Sequence, residues 1–240
     1  MKNIFLILVV SLVSIETFSQ THLYENPDFD EIIQNHEIIG IIPFVTTIKL
    51  RPKQLKDFTT EQIIRMEKAE GKEIQNALHS WYLKRQKRGS LTVKVQTPRI
   101  TNTKLRKAGV TDENIEDYLP DELAKILGVD GIIMGTFHTS KPMSQAAAIA
   151  SAFLLGLAGS ANKATINLYV YNGIDSELLI NYNKTVRGGI GRSVEDLIHK
   201  ILRKTSRRIS YTKGSIFQKK EKRIKFKSNF LTPYFRFYFK

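Results

Sequence analysis

The 240-residue chain carries 37 Lys and Arg against 23 Asp and Glu, a net charge of +14, and contains no cysteine. Without cysteine it has no disulfide framework and no thiolate metal site, and no lipid can be attached through a first cysteine. With 42% hydrophobic and 25% charged residues, it is no disordered polyelectrolyte, and it is long enough for one α/β domain of about 100–200 residues plus peripheral segments.

The chain opens MKNIFLILVVSLVSIETFSQ, with Lys2 before an apolar run from Ile4 to Ile15 and small polar residues at Thr17 and Ser19. That order predicts a secretory signal peptide over residues 1–19, cut after Ser19. The apolar run is shorter than the roughly 20 residues that span a bilayer. Residues 20–36 form a lead-in, and a single α/β domain is expected over 37–213.

Within that domain, Glu37 to Phe44 holds Ile38, Ile39, Ile41 and Ile42 in an almost continuous apolar run ended by Pro43, which suits a strand covered on both faces. Thr59 with Gln62 three residues later is a capping box at the start of a long helix. Ile63, Met66, Ile74, Ala77, Leu78 and Trp81 mark its inner stripe, with Arg65, Lys68, Lys72 and Gln75 elsewhere and Gly71 as a point of weakness. Leu91, Val93 and Val95 alternate with Thr92, Lys94 and Gln96 as in a half-buried strand. A short helix is expected over Asp112 to Tyr118 and another from Pro120, where Leu123, Ile126 and Leu127 face inward and Gly128 ends it in the left-handed conformation. A buried strand, Gly131 to Phe137, follows at once. Ile166, Leu168 and Val170, then Leu178, Ile180 and Tyr182, predict a hairpin turning at Asn172-Gly173. Ser193 and Asp196 cap a last helix with Val194, Leu197, Ile198, Ile201 and Leu202 inward. The expected fold is α/β, a mixed sheet of about five strands with helices packed on it, in the order β-α-β-α-β-β-β-α.

A strand, a long helix, a second strand, the basic connection TKLRKAGV (Thr103 to Val110), the unit ELAKILGVDGIIMGTF and a closing hairpin plus helix together resemble the periplasmic α/β domain of the curli-secretion component (CsgG-like) family. The amino-terminal domain of TolB and the outer-membrane activators of penicillin-binding proteins are similar. The resemblance spans residues 37–211, and its motifs are those of a fold. It implies an envelope protein that binds other proteins or assembles into a ring or complex. The lipidated cysteine typical of the curli-secretion members is missing.

Between the third and fourth expected strands of that unit lies an uncharged insertion, Gln145 to Ala161, QAAAIASAFLLGLAGSA. Ile149, Phe153, Leu154, Leu155 and Leu157 contribute about −0.3 to −0.6 kcal/mol each on insertion scales, which is marginal for an isolated spanning helix. Small residues recur at Ala148, Ala152, Gly156 and Ser160, so a helical segment would have one flank fit for close helix contact. Ile149, Ala152, Phe153, Leu154, Gly156 and Leu157 are the candidate membrane or oligomer contact; a buried helix or a Gly/Ala loop is the plainer alternative. The tail, residues 214–240, is basic and aromatic. It belongs to a stretch, Lys213 to Lys240, with nine Lys or Arg and one Glu, a net +8 of the chain's +14. Lys219, Lys220, Lys222, Arg223, Lys225 and Lys227 are candidates for contact with lipid headgroups or an envelope polyanion, against the alternative of an end with no role. Export argues against nucleic acid as the partner.

No catalytic or metal pattern stands out. RGGIGRS, Arg187 to Ser193, has Val186 where a phosphate loop needs its first glycine and Arg192 where it needs lysine. His22, His36, His79, His138 and His199 lack ligand spacing. Asp112, Glu113, Glu116, Asp117, Asp121 and Glu122 fall near helix starts, where the dipole favours them. The sequence therefore points to a non-enzymatic exported scaffold of the periplasm, the outer-membrane periphery or the medium, with no cofactor and with envelope proteins or sister copies as partners. The alternative is a soluble hydrolase or ligand-binding domain whose site is dispersed.

Overall fold

A computed structural model describes residues 21–50, 56, 58–139, 163–187, 194–208 and 211. The leader, the insertion 145–161, the loop 188–193 and the tail 214–240 lie outside the described residues, as do their candidate contacts. Seven strands form one mixed sheet: β1 (Thr21–Glu25), β2 (Ile38–Ile41), β3 (Val45–Ile48), β4 (Lys94–Val95), β5 (Gly131–Thr139), β6 (Lys163–Asn172) and β7 (Leu178–Arg187). Among the described residues there are five α-helices: α1 (Phe29–Ile32), α2 (Thr60–Lys87), α3 (Pro98–Lys107), α4 (Pro120–Leu127) and α5 (Val194–Arg208). The α/β class read from the sequence is the class observed, with two more strands than expected.

Both added strands have a physical reason. Pro43 interrupts the run of isoleucines, so β2 ends at Ile41 and the chain resumes as β3, which pairs with the far end of β5. The lead-in supplies β1, which lies antiparallel to β7, and α1, whose Phe29 is fully buried. The order across the sheet is β1-β7-β6-β5-β2-β4, with β3 also on β5. Pairs of β5 with β2 and β3, and of β2 with β4, are parallel; the pairs joining β5, β6, β7 and β1 are antiparallel.

Helices α2 and α5 cover one face. Ile74, Leu78 and Tyr82 of α2 and Ile198, Ile201 and Leu202 of α5 close the main core over Ile39, Ile133, Phe137, Ile166 and Leu168. A smaller core on the opposite face packs Leu105 of α3 and Leu123, Ala124 and Leu127 of α4 on Ile42 and Ile132. Helix α2 begins with the expected capping box, Thr59 with Gln62, and runs unbroken through Gly71. That glycine is there for closeness: an added Cβ would lie 2.0 Å from the Phe44 carbonyl oxygen, and Phe44 N donates to Gly71 O at 3.2 Å.

Several local expectations are corrected. Gln75, assigned to the outer side of α2, is fully buried and donates from Nε2 to Ile41 O at 2.6 Å. The reason is that α2 has α3 beside it as well as the sheet beneath, and Gln75 also exchanges hydrogen bonds with Asn102 of α3. Only Lys94–Val95 is strand in the 91–96 segment, although Leu91 and Val93 are buried. The helix expected over Asp112 to Tyr118 is a 3-10 turn, Ile115–Asp117. Helix α4 spans Pro120–Leu127 and ends at Gly128 with φ +61°, as read. The β6–β7 connection is longer than a two-residue turn, occupying residues 173–177 with Ser176 at φ 62°. A register irregularity at Val170/Tyr171 buries Leu179 beside Ile180, and Leu178 moves out of the core pattern.

Candidate interaction face

The two helix layers do not cover equal areas of the sheet. On the side of α2 and α5, Ile133 and Phe137 of β5, Ala164, Ile166, Leu168 and Val170 of β6, and Ile180, Tyr182 and Val186 of β7 are in the main core, with Lys184 buried in the same alternation. On the side of α3 and α4, the packed cluster reaches only β2 and the first part of β5. Helix α4 also meets the Asn172 end of β6, but among the described residues no helix covers the rest of β6, or β7 and β1, on this second side. Because side chains alternate along a strand, the outward set can be read from the register.

Three cross-strand rows make up this face. Tyr24, Asn181, Tyr169 and Met134 form one; His22, Asn183, Asn167 and Thr136 form the next; Thr185, Thr165 and His138 form the third. Tyr171 continues the line of Tyr169, their rings stacked at 6.2 Å and 28°. None of these twelve positions is charged. A quarter of the whole chain is charged, so about three charges would fall on twelve positions taken at that rate, and solvated sheet faces ordinarily use polar residues of every kind. Charge returns only at the rim, where Lys163 stands opposite Arg187.

Amides and hydroxyls on the face bind one another across strands. Asn183 donates to Asn167 Oδ1, and Asn167 Nδ2 donates to Thr136 Oγ1 at 2.9 Å. Thr165 and Thr185 hydroxyls lie 3.0 Å apart. Burial raises the Tyr171 phenol above its ordinary pKa, and Tyr169 adds to the shift. At its outer border the face ends on β1, where Leu23 and Tyr24 are 41% and 48% exposed. Among the described residues no strand pairs with the far edge of β1, and the strand contains neither lysine nor proline to discourage pairing.

The opposite border is treated differently. Lys49 N donates to Thr139 O on β5, so the preceding amide, Ile48 N, points away from β5, and Glu67 Oε1 of α2 accepts from it at 2.9 Å. A cleft of about 150 Å³ lies beside it, lined by Phe44, Val45, Ile64, Lys68 and Ile115. That is below the roughly 300 Å³ where small-molecule pockets begin.

The remaining candidates settle into structural roles. Glu113 pairs with Lys68 and its carboxyl pKa is lowered to about 2, chiefly by that hydrogen bond. Asp121 accepts from Ser176 Oγ at 2.7 Å, and from Lys125 at 2.9 Å, which tie the start of α4 to the β6–β7 turn and lower its pKa. Glu122 accepts from Leu119 N at 2.8 Å. His36 is buried, with Tyr211 Oη 2.7 Å from Nδ1 and Asn172 Oδ1 3.2 Å from Nε2. The amide oxygen can only accept, so Nε2 carries the proton and Tyr211 donates to Nδ1; burial lowers the His36 pKa. Asp130 Oδ2 accepts from Glu37 N and Ile38 N beside it, at 2.8 and 2.9 Å. His199 meets Trp81 edge-on at 6.5 Å. Among the described residues, His79 Nε2 and His138 Nδ1 are buried without a hydrogen-bond partner. No group of three His, Asp or Glu among the described residues is placed to hold a metal ion, and no described helix is long and apolar enough to cross a membrane. Sequence reading missed the open face, although the charge-free alternation of β6 and β7 was visible in it.

No family model matches the chain, and no curated protein does. Solved structures give weak likenesses. PelC, a dodecamer from Paraburkholderia phytofirmans, is 7% identical over 78% of this chain and 94% of its own, with a TM-score of 0.38. Lipoprotein GNA1162 from Neisseria meningitidis is 13% identical over 72% and 96%, with a TM-score of 0.40. The LpoB C-terminal domain from Salmonella enterica is 7% identical over 68% and 94%, at 0.30. None of these three is a curli-secretion component or TolB, and at such scores no residue of this chain takes a role from them.

Proposed function

We propose that this chain is a non-catalytic docking domain of the cell envelope, exported by residues 1–19 and working through association with envelope proteins or with sister copies. The observation that carries this reading is the unequal covering of the sheet: β2 and the first part of β5 have helices on both faces, while among the described residues most of β6, β7 and β1 has no helix on one side and the far edge of β1 has no strand beside it. We assign the uncharged segment 145–161, which lies outside the described residues, to the association with proteins or sister copies. The chain leaves the sheet at Thr139 and re-enters at Lys163, on adjacent strands of the open half. An uncharged, largely apolar stretch of that kind exposed on a protein ordinarily marks an interaction site.

The test is the size of the particle. The exported chain, extracted from envelopes and measured by light scattering, is expected to run as an assembly or to need detergent. Deleting residues 145–161 is expected to yield a monomer that needs none. An unchanged mass and unchanged solubility after the deletion would remove the segment from the proposal. Mass spectrometry of the exported product is expected to show a chain beginning at Gln20.

A further inference from the structure

We infer that the bare side of the antiparallel half is a binding face for an uncharged glycan strand, with Asn181 as the floor of a sugar subsite walled by Tyr24 and Tyr169. It rests on the docking role proposed above, naming a glycan as the partner this face takes while proteins or sister copies meet the segment 145–161 and the edge of β1, and it does not depend on the insertion. Three properties of the face select the ligand class. It is uncharged, so it holds nothing that would draw a nucleic acid, an anionic headgroup or an acidic peptide. It is set with amides, so a purely apolar partner would bury donors and acceptors it cannot satisfy. It is also aromatic, with tyrosines that offer an apolar ring and a polar tip.

A pyranose chain answers all three. Its ring faces are apolar C–H surfaces, its equatorial edges carry hydroxyl or acetamido groups, and it has no charge. Asn side chains meet such edges well because one amide both donates and accepts. The register supplies the spacing. Tyr24, Asn181 and Tyr169 stand on three neighbouring strands, so the two tyrosines are about 9.5 Å apart at the backbone with the amide between them. That gap admits one saturated ring. Asn181 has no side-chain hydrogen bond among the described residues, whereas Asn167 and Asn183 in the next row are bonded to each other. The amide at the subsite is thus the one left available. Tyr171, stacked beside Tyr169, lengthens the aromatic strip along β6.

The experiment titrates the purified full chain with two soluble probes, a hexamer of N-acetylglucosamine and a hexamer of glucose, while the side-chain amide signals of the asparagines are followed by NMR. Saturable shifts of Asn181 with at least one hexamer are expected, and the probe that binds tells whether acetamido or hydroxyl groups are read. Tyr169→Ala is expected to weaken binding about tenfold and Tyr169→Phe to preserve it. Asn181→Asp, which keeps size and shape, is expected to weaken it also and covers the case in which Tyr169→Ala does not fold. Binding should be equal at about 0.05 M and about 0.5 M salt, since no ion pair is involved. The proposal is overturned if neither hexamer shifts the amides. It is equally overturned by binding that salt abolishes and that Asn181→Asp leaves intact, which is the behaviour of a polyanion on the basic tail.

Discussion

The two halves of the sheet are built by different rules. Strand β2 and the first part of β5 pair in parallel, are sandwiched between α2 and the α3–α4 layer, and read in sequence as nearly continuous apolar stretches. Strands β6, β7 and β1 pair antiparallel; β6 and β7 bury one side only, β6 alternating Ala, Ile, Leu and Val with Thr, Asn and Tyr, and β1 is exposed along most of its length. A continuous apolar run therefore marks where the fold is closed, and an alternating run marks where it remains available to a partner. The same contrast appears at the borders: the β3 edge is capped by Glu67 from α2, whereas among the described residues no strand lies along the far edge of β1.

Substitutions should separate the halves sharply. In the closed half, Gly71→Ala forces a methyl group against the Phe44 carbonyl and should cost about 3 kcal/mol in a denaturant titration, because backbone has to move. A comparable loss is expected for Ile166→Ala, whose side chain is fully buried, at about 2–5 kcal/mol. Its neighbour Thr165→Ala, on the bare side, should stay below about 1 kcal/mol. Equal costs for these two adjacent residues would break the comparison.

Where β6 and β7 meet the start of β2, the His36–Tyr211 contact should give a pH-dependent term. Burial lowers the pKa of His36 in the folded chain, so the unfolded chain takes up the proton first. The stability this imidazole contributes is complete above its unfolded pKa and declines as pH falls from about 7 to about 5. His36→Gln should flatten that slope, with a remainder from His79, whose pKa burial also lowers. Tyr211→Phe leaves Nδ1 without its donor and should cost about 1–2 kcal/mol at neutral pH. Thr59→Ala, which removes the α2 cap, should cost about 1 kcal/mol. Least of all, Lys68→Ala should leave the unfolding midpoint where it is, since its pair with Glu113 stands in solvent.

Local pattern made much of this fold legible. The capping box at Thr59, the proline at the start of α4, the left-handed Gly128 and the alternation of β6 are all properties of a few neighbouring residues, and each is found where the sequence puts it. What could not be read depends on distant partners. Gln75 looks solvent-facing until α3 is laid beside it. His36 and Tyr211 are 175 positions apart. β1 is five residues in a polar stretch, and only its pairing with β7 makes it a strand. The bare face lay in plain view as an absence of Lys, Glu, Asp and Arg from alternate positions, but it acquires meaning only once the register shows which positions lie side by side.

The attachment of β1 to β7 also sets an order of events. Thr21 and Lys184, bonded side chain to side chain, are 163 positions apart, so a chain emerging from its amino terminus has no seat for its first strand until the final hairpin has formed. Contacts of such sequence separation close slowly. The sheet is thus finished from the inside outward, and its last rung is the strand that precedes all the others in sequence.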